Sequence, residues 1–396
     1  MPSRRLASTD FLVPGMRFVL IVVAFALTLA TTVARSESKP SPCGQPGQWL
    51  TPGKGASAID NAALLERMAT QQVVLLGESH DSAEDHRWQW QLLAQLHGRR
   101  PQLVLGLEMF PRRLQPVLDQ WIAGSFSEQE FLQKSEWDKV WGYEARDYLP
   151  LFHFARMNRL PMIALNVERS LPEAIGKQGW DAVPAAQKEG VSRPAAPSAE
   201  YLKLLRKIYD HHPAAEREGS DFARFVEAQT VWDRAMAQGI ADHLKKAPDA
   251  LVIGILGAGH VRYGHGVPYQ LKSLGIAHVA GLLTWNQAEG CGQLVSGMAD
   301  AVYVVQEQKT NPPRLGVATE IVANGLRITA ITADSVAESA GLKVADVILE
   351  VAAQPAKNVQ VLRNVVQRTV PGTWLPLKIK RGNDELEIVA RFPAQP

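Results

Sequence analysis

Five short, largely apolar runs, at residues 73–76, 103–107, 162–165, 251–256 and 276–283, recur with helical patterns between them. This alternation most constrains the fold. A strand buried on both faces reads as a continuous apolar stretch, and parallel strands need a crossover that returns the chain to the same edge, usually a helix. The pattern therefore predicts an α/β domain with a mostly parallel central sheet and helices on both faces. Ser82 with Asp85 makes a capping box ahead of an apolar stripe of Trp88, Leu92, Leu93 and Leu96. A second helix over residues 221–244 carries Phe222, Phe225, Trp232, Met236 and Ile240 on one side, with Gln229 inside that stripe.

Between the third and fourth runs lies a long excursion, residues 168–220, whose Ala/Pro-rich middle (183–199) is poor in large apolar residues. Connections of that length serve as lids or binding loops. A helix is expected over about 199–209, with a mobile stretch before it. From about Pro312 the texture changes to short β-type runs with Gly turns, at 315–317, 326–331, 347–351, 374–379 and 386–392, and one helix at 359–368. That is a separate small β-rich domain. The expected layout is a signal peptide at 1–35, a leader at 36–55, the α/β domain at 56–295, a linker at 296–311 and the small domain at 312–396.

Arg4, Arg5 and Arg17 precede an apolar run at residues 18–30, and small residues then lead to Val33-Ala34-Arg35. This is the layout of a secretory signal peptide, which places the protein outside the cytoplasm, in a periplasm; uncleaved, the segment would be a membrane anchor. Export makes a disulfide chemically possible between the only two cysteines, Cys43 and Cys291, which lie at opposite ends of the first domain. With 42 basic against 40 acidic residues, no charge surplus exists to drive binding to nucleic acid. Membrane contact is expected only through the N-terminal segment.

The runs deliver polar groups at their C-terminal ends. Residues 73–76 lead into Gly77-Glu78-Ser79-His80, 103–107 into Glu108, 162–165 into Asn166, and 251–256 into Gly257-Ala258-Gly259-His260. In an open parallel sheet that edge is where ligands bind, so these residues are expected to converge on one crevice. A polar residue after a strand is also an ordinary cap or turn former.

These segments, with Leu107-Glu108-Met109-Phe110, the Trp141 to Pro150 stretch, Ala164-Leu165-Asn166, the Gln229, Asp233 and Met236 helix, and the run from Gly257 through Gly266-Val267-Pro268, resemble the ChaN-type haem-binding uptake domain of the Tiki superfamily. The resemblance covers roughly residues 45–290 and implies haem or iron handling. Tyr148, Tyr263, Met236, His80 and His260 are chemically able to act as an axial ligand. Trp137, Trp141, Trp232 and Phe225 could form aromatic walls. The superfamily also contains metal-dependent proteases. His80, His260, Glu78 and Glu108 make a two-His, two-carboxylate set suited to Zn, Mn or Fe, with a glutamate as general base in a hydrolase. Haem binder, hydrolase, and scaffold with a degenerate pocket all stay open here. The other histidines, His86 among them, read as helix-surface or turn residues.

The C-terminal region, with Arg314-Leu315-Gly316-Val317, residues 328–331, Ser335 to Leu342 and Asp346-Val347-Ile348-Leu349, resembles a PDZ domain over about 312–393. Ala345 stands where that family usually has Gly. The resemblance implies capture of a partner's C-terminus, with Arg314, Leu315, Gly316 and Val317 as the capture loop and Leu362 and Val366 lining the side-chain pocket.

Overall fold

The computed structural model describes residues 43–211, 221–306 and 313–394. The signal-peptide reading lies outside the described residues. Among the described residues no helix is long and apolar enough to cross a membrane.

Eight strands form the sheet of the large domain: β1 (Trp49–Thr51), β2 (Ser57–Ile59), β3 (Val73–Glu78), β4 (Leu103–Pro111), β5 (Met162–Asn166), β6 (Leu251–Gly257), β7 (Val279–Asn286) and β8 (Ala301–Val305). Their order is β2-β1-β8-β7-β3-β6-β4-β5. The six strands from β8 to β5 pair in parallel; β1 joins β8 and β2 joins β1 in antiparallel fashion. Alternate residues of the central strands feed two cores. Val74 and Leu76 of β3 pack with Leu64, Met68, Trp88, Leu92 and Phe152 on one face. Val73 and Leu75 pack with Met236, Ile240, Val267 and Leu271 on the other. All four of these β3 side chains are fully buried, and each such burial contributes about 1.5–3 kcal/mol.

Several boundaries differ from the sequence reading. The fifth run is shifted, to Val279–Asn286, because the chain after the Val267–Ser273 helix turns through Gly275 (φ 87°) before the ladder begins. β8 lies in the segment read as linker, where a five-residue AVYVV run extends the sheet. Residues 183–199 are held rather than mobile. The Ser192 amide donates to Gln238, Arg112 donates to the Glu189 carbonyl at 2.9 Å, and the Ala195 amide donates to Gln270 at 3.0 Å. Val183 and Val191 are buried against Leu171, Ile175 and Val231. Side chains of the neighbouring helices satisfy a backbone that has no ladder of its own.

The C-terminal domain is an antiparallel sheet with β14 (Asp384–Arg391), β13 (Trp374–Arg381), β11 (Val347–Val351), β10 (Gly325–Ile331) and β9 (Val317–Val322) in that order; β12 (Gln354–Pro355) pairs β11. Its core gathers Leu326, Ile328, Ile348, Leu377 and Ile379 with Leu362 and Val366 of the Val359–Arg368 helix. Buried Asp346 accepts two hydrogen bonds from Arg381, at 2.8 and 2.7 Å, and pins the turn before β11 to β13.

Candidate functional site

Glu78 is the last residue of β3 and His80 lies two residues on. The Glu78 carboxylate is 3% exposed and has a full shell of partners. Oε1 accepts the Tyr148 hydroxyl at 2.7 Å and lies 2.9 Å from His80 Nδ1; Oε2 accepts Gln89 Nε2 at 2.7 Å and lies 3.4 Å from His86 Nδ1. Burial disfavours its charge, but hydrogen bonds from His80, His86 and Tyr148 override that and hold the carboxyl down at about 2. His86 is correspondingly pushed up to about 9: burial opposes the charge, and Glu78 more than compensates. Its Nε2 meets the His80 carbonyl at 3.2 Å, so both ring nitrogens face acceptors.

A second group forms where the β4–β6 ladder ends. Glu108 lies inside β4, just past Leu107, the last β4 residue paired with β6, and His260 follows β6; the expected strand end at residue 107 is corrected to Pro111. Glu108 Oε2 accepts the Gly257 amide at 2.6 Å, and its Oε1 lies 3.5 Å from His260 Nε2. His260 Nδ1 lies 2.6 Å from Asp233 Oδ1, and the Tyr201 hydroxyl donates to the other oxygen of Asp233 at 2.7 Å. Burial lowers the pKa of His260, yet Glu108 and Asp233 push it up to about 9, so at neutral pH it is an imidazolium held by carboxylates. Gly257 separates the two groups. A Cβ there would stand 2.9 Å from His80 Cε1 and 3.6 Å from Glu108 Oε2, so only glycine lets the two groups close on each other.

His80, Gln229 and His260 border one cavity of about 610 Å³, with Leu204, Leu205 and Ile208 of the Ala199–His211 helix and Phe225 forming an apolar wall. The two histidines differ in access. His80 has a side chain 26% exposed, and Trp141 and Tyr143 flank its ring at 4.6 and 5.0 Å; the His260 side chain is 10% exposed and abuts Trp232 at 5.0 Å. With Nδ1 committed to Glu78, His80 keeps Nε2 for a ligand; no protein hydrogen bond to that nitrogen occurs among the described residues.

Other expected pocket residues lie elsewhere. Asn166 is a turn former: it donates to the Glu108 carbonyl at 2.8 Å and caps the Val167 amide. Met236 is fully buried in the core, and Tyr263 packs against that same cluster. Asp233 supports His260 from behind. Tyr148 is fully buried, and burial together with the Glu78 charge pushes its phenol far up, so it is a hydrogen-bond donor and not a phenolate ligand. Trp137 belongs to the core beside Phe110 and Phe152. For the expected metal set, no group of three or more His, Cys, Asp or Glu side chains among the described residues is arranged to hold a metal ion. Glu78 is saturated by four partners, Glu108 faces an amide, and His260 faces two carboxylates, so the donors are directed at one another.

Sequence reasoning missed His86, Gln89 and Tyr201. The first two carry a readable signal. They fall on the buried side of the Ala83–His97 helix, beside Leu92, Leu93 and Leu96, where a polar residue needs a polar partner. Tyr201 carried none.

In the PDZ-like region Leu315 is buried, and Gly316 has φ 84° with a Cβ position 2.3 Å from Ser335 Cβ, so the loop requires glycine. Val317 opens β9, whose outer edge is unpaired among the described residues and which lies beside the Val359–Arg368 helix. Leu362 and Val366 are each 5% exposed and pack into the core behind that edge. No hydrogen bond or ion pair of the Arg314 side chain occurs among the described residues.

Residues 64–271, more than half of the chain, match the family described as haem-binding uptake, Tiki superfamily, ChaN, and residues 313–390 match the PDZ domain. The chain belongs to the ChaN family, and its C-terminal domain is a PDZ domain. A solved structure titled as cofacial haem binding to ChaN of Campylobacter jejuni is similar at 19% identity, covers 64% of this chain and 95% of that one, and has a TM-score of 0.51. The PDZ region overlaps a solved HtrA3 PDZ domain bound to a phage-derived ligand, at 21% identity over 20% of this chain and 83% of that one with a TM-score of 0.19. A serine endoprotease from Yersinia pestis is 24% identical over 22% of this chain and 30% of that one, also with a TM-score of 0.19. No curated protein matches the chain.

Proposed function

We propose that the protein is exported and handles haem in the periplasm, with His80 as the iron ligand and with the PDZ domain recruiting a partner through a C-terminus that ends in an apolar residue. One observation carries the haem reading: the His80 ring is fixed through Nδ1 by a buried carboxylate, while its other nitrogen is left for a cavity walled by Leu204, Leu205, Ile208 and Phe225. A carboxylate behind a histidine sets its tautomer and raises its basicity as a ligand. The cavity lies within the usual size range of sites for small molecules and cofactors. Haem, when bound, supplies the iron and its ligand-exchange chemistry. His80 donates a nitrogen, the helix wall excludes water, and His260, held as a cation by Asp233 and Glu108, contributes positive charge rather than a lone pair.

Titration of the purified protein with haemin is expected to give a Soret band that saturates at one equivalent, and His80→Ala to weaken binding by about 10-fold or more while leaving thermal unfolding nearly unchanged. Lost stability with intact affinity would overturn the assignment. Bound Zn or Mn in elemental analysis, without a Soret band, would overturn the haem reading itself. N-terminal sequencing of the protein from an envelope fraction tests export, and a library of C-terminal peptides tests the PDZ groove at Gly316 and β9.

A further inference from the structure

We propose that Arg262 is the anchor for a carboxylate of the cavity's ligand, with Gly259 providing the bare wall against which a planar ring lies; this rests on the haem reading above. Haem is an apolar ring that carries two carboxylates, and a carboxylate brought to a protein surface out of bulk water needs a cation or several hydrogen bonds. Arg262 is the only lysine or arginine among the residues that border the 610 Å³ cavity. Its guanidinium has no hydrogen bond or ion pair among the described residues. Neighbouring arginines are engaged: Arg234 binds Ser192 and Ser273, Arg112 binds two carbonyls, and Arg113 binds Glu136 and Glu168.

The backbone holds Arg262 at this rim. The next residue, Tyr263, has φ 61°, a left-handed conformation unfavourable for a side chain of its size, and its amide donates to the Met298 carbonyl at 2.8 Å. That turn presents Arg262 to the large cavity and to a smaller one of about 230 Å³ bordered by Ser79, Ser82 and Thr284 and by the carboxylates of Glu78, Asp85 and Glu289, which leave the large cavity as the side from which an anionic ligand reaches Arg262. Arg262 therefore borders both cavities, and a ring held against the apolar wall of the larger one would bring a carboxylate substituent to that border.

Gly259 supplies an independent observation. Its φ is not in the left-handed region, and a Cβ built on it meets nothing within 4 Å, so neither strain nor lack of space requires glycine. Gly257, two residues earlier, is required by contact with His80. A glycine that the fold does not need, on the wall of a ligand cavity, keeps that wall flat.

The test uses the full-length chain, titrated with haemin and with iron protoporphyrin dimethyl ester, in which both carboxylates are blocked. Arg262→Ala is expected to weaken haemin binding by about 10-fold or more, Arg262→Lys to lie between it and the parent, and the ester to bind parent and variants alike. Gly259→Leu is expected to keep the parent's unfolding temperature and to lose both ligands. Equal haemin affinity in the parent and Arg262→Ala would overturn the anchor while leaving the haem reading intact. An equal loss of haemin and ester in Arg262→Ala would also overturn it, since the effect would then not come from the carboxylate. A parent protein that binds neither ligand would overturn both proposals.

Discussion

In the α/β domain the groups around the cavity come from residues as far apart as Glu78, Tyr143, Gln229 and His260, whereas in the PDZ domain the loop, the edge strand and the helix lie between Arg314 and Arg368. The difference follows from how the two sheets are wired. Parallel strands must be joined by long crossovers, so residues that meet at one edge are distant in sequence. Antiparallel strands are joined by short turns, so a groove can be built from neighbours. The two domains also differ in chemistry. All ten histidines and all seven tyrosines precede residue 304, and the PDZ domain has neither type and no cysteine. Both domains have apolar cores and ladder hydrogen bonds, but the first adds histidine–carboxylate pairs and a crosslink, whereas the buried charge of the second is Asp346 held by Arg381.

The largest test of that contrast is the crosslink. Cys43 and Cys291 are bonded, across a sequence separation of 248, with Cα atoms 4.8 Å apart. In the chain-entropy model a loop of that length stabilises by about 5 kcal/mol, an upper value. Replacing both cysteines with Ala is expected to lower protection in hydrogen exchange throughout the α/β domain and to leave the PDZ strands unchanged. An equal loss in both domains would break the comparison.

Removing the Glu78 charge comes next. Glu78→Gln leaves His86 buried as a cation without its partner and is expected to cost about 3 kcal/mol or more, again in the α/β domain alone. The same groups set a pH dependence. His86 and His260 are raised to about 9 from 6.5, so their stabilisation is complete below 6.5 and is lost as the pH rises through about 9. Glu78 is lowered from 4.5 to about 2, so its contribution is present above 4.5 and is lost as the pH falls towards 2. The stability of the α/β domain to denaturant is therefore expected to fall between about pH 6.5 and 9 and to level off above that, while the PDZ domain, with only carboxylates, lysines and arginines to titrate, holds its midpoint until the lysines lose their charge. A matching alkaline decline in the PDZ domain at pH 9 would contradict this.

The smallest effect runs in the opposite direction. Ala345 adopts φ 72° at the turn before Asp346, where its Cβ is disfavoured. Ala345→Gly is expected to stabilise the PDZ domain by about 1 kcal/mol, read as a higher unfolding midpoint for that domain only. No gain would mean that the extra freedom of glycine in the unfolded chain cancels the relieved strain.

The sequence alone determined the alternation of strand and helix, the change of texture near Pro312, and the positions of Glu78, His80 and His260 at or just past strand ends; Glu108 lies inside β4, which runs on to Pro111. Each follows from local pattern: a run of apolar residues states its own burial, and a strand's end states which edge it reaches. The candidate disulfide was legible too, because two cysteines at the ends of one domain have few alternatives. Only the tertiary structure decided which polar residues face one another. Asn166 and Glu108 both follow apolar runs, yet one caps a turn and the other sits between Gly257 and His260. His86 reads as a surface residue until β3 places Glu78 3.4 Å from it. Whether four potential metal donors form a metal site depends on distances and on hydrogen bonds already made, and both arise from strands that meet only after long crossovers. Local pattern specifies elements; pairing between distant elements specifies partners, because a charge's partner is set by distance in space, and distance along the chain does not determine it.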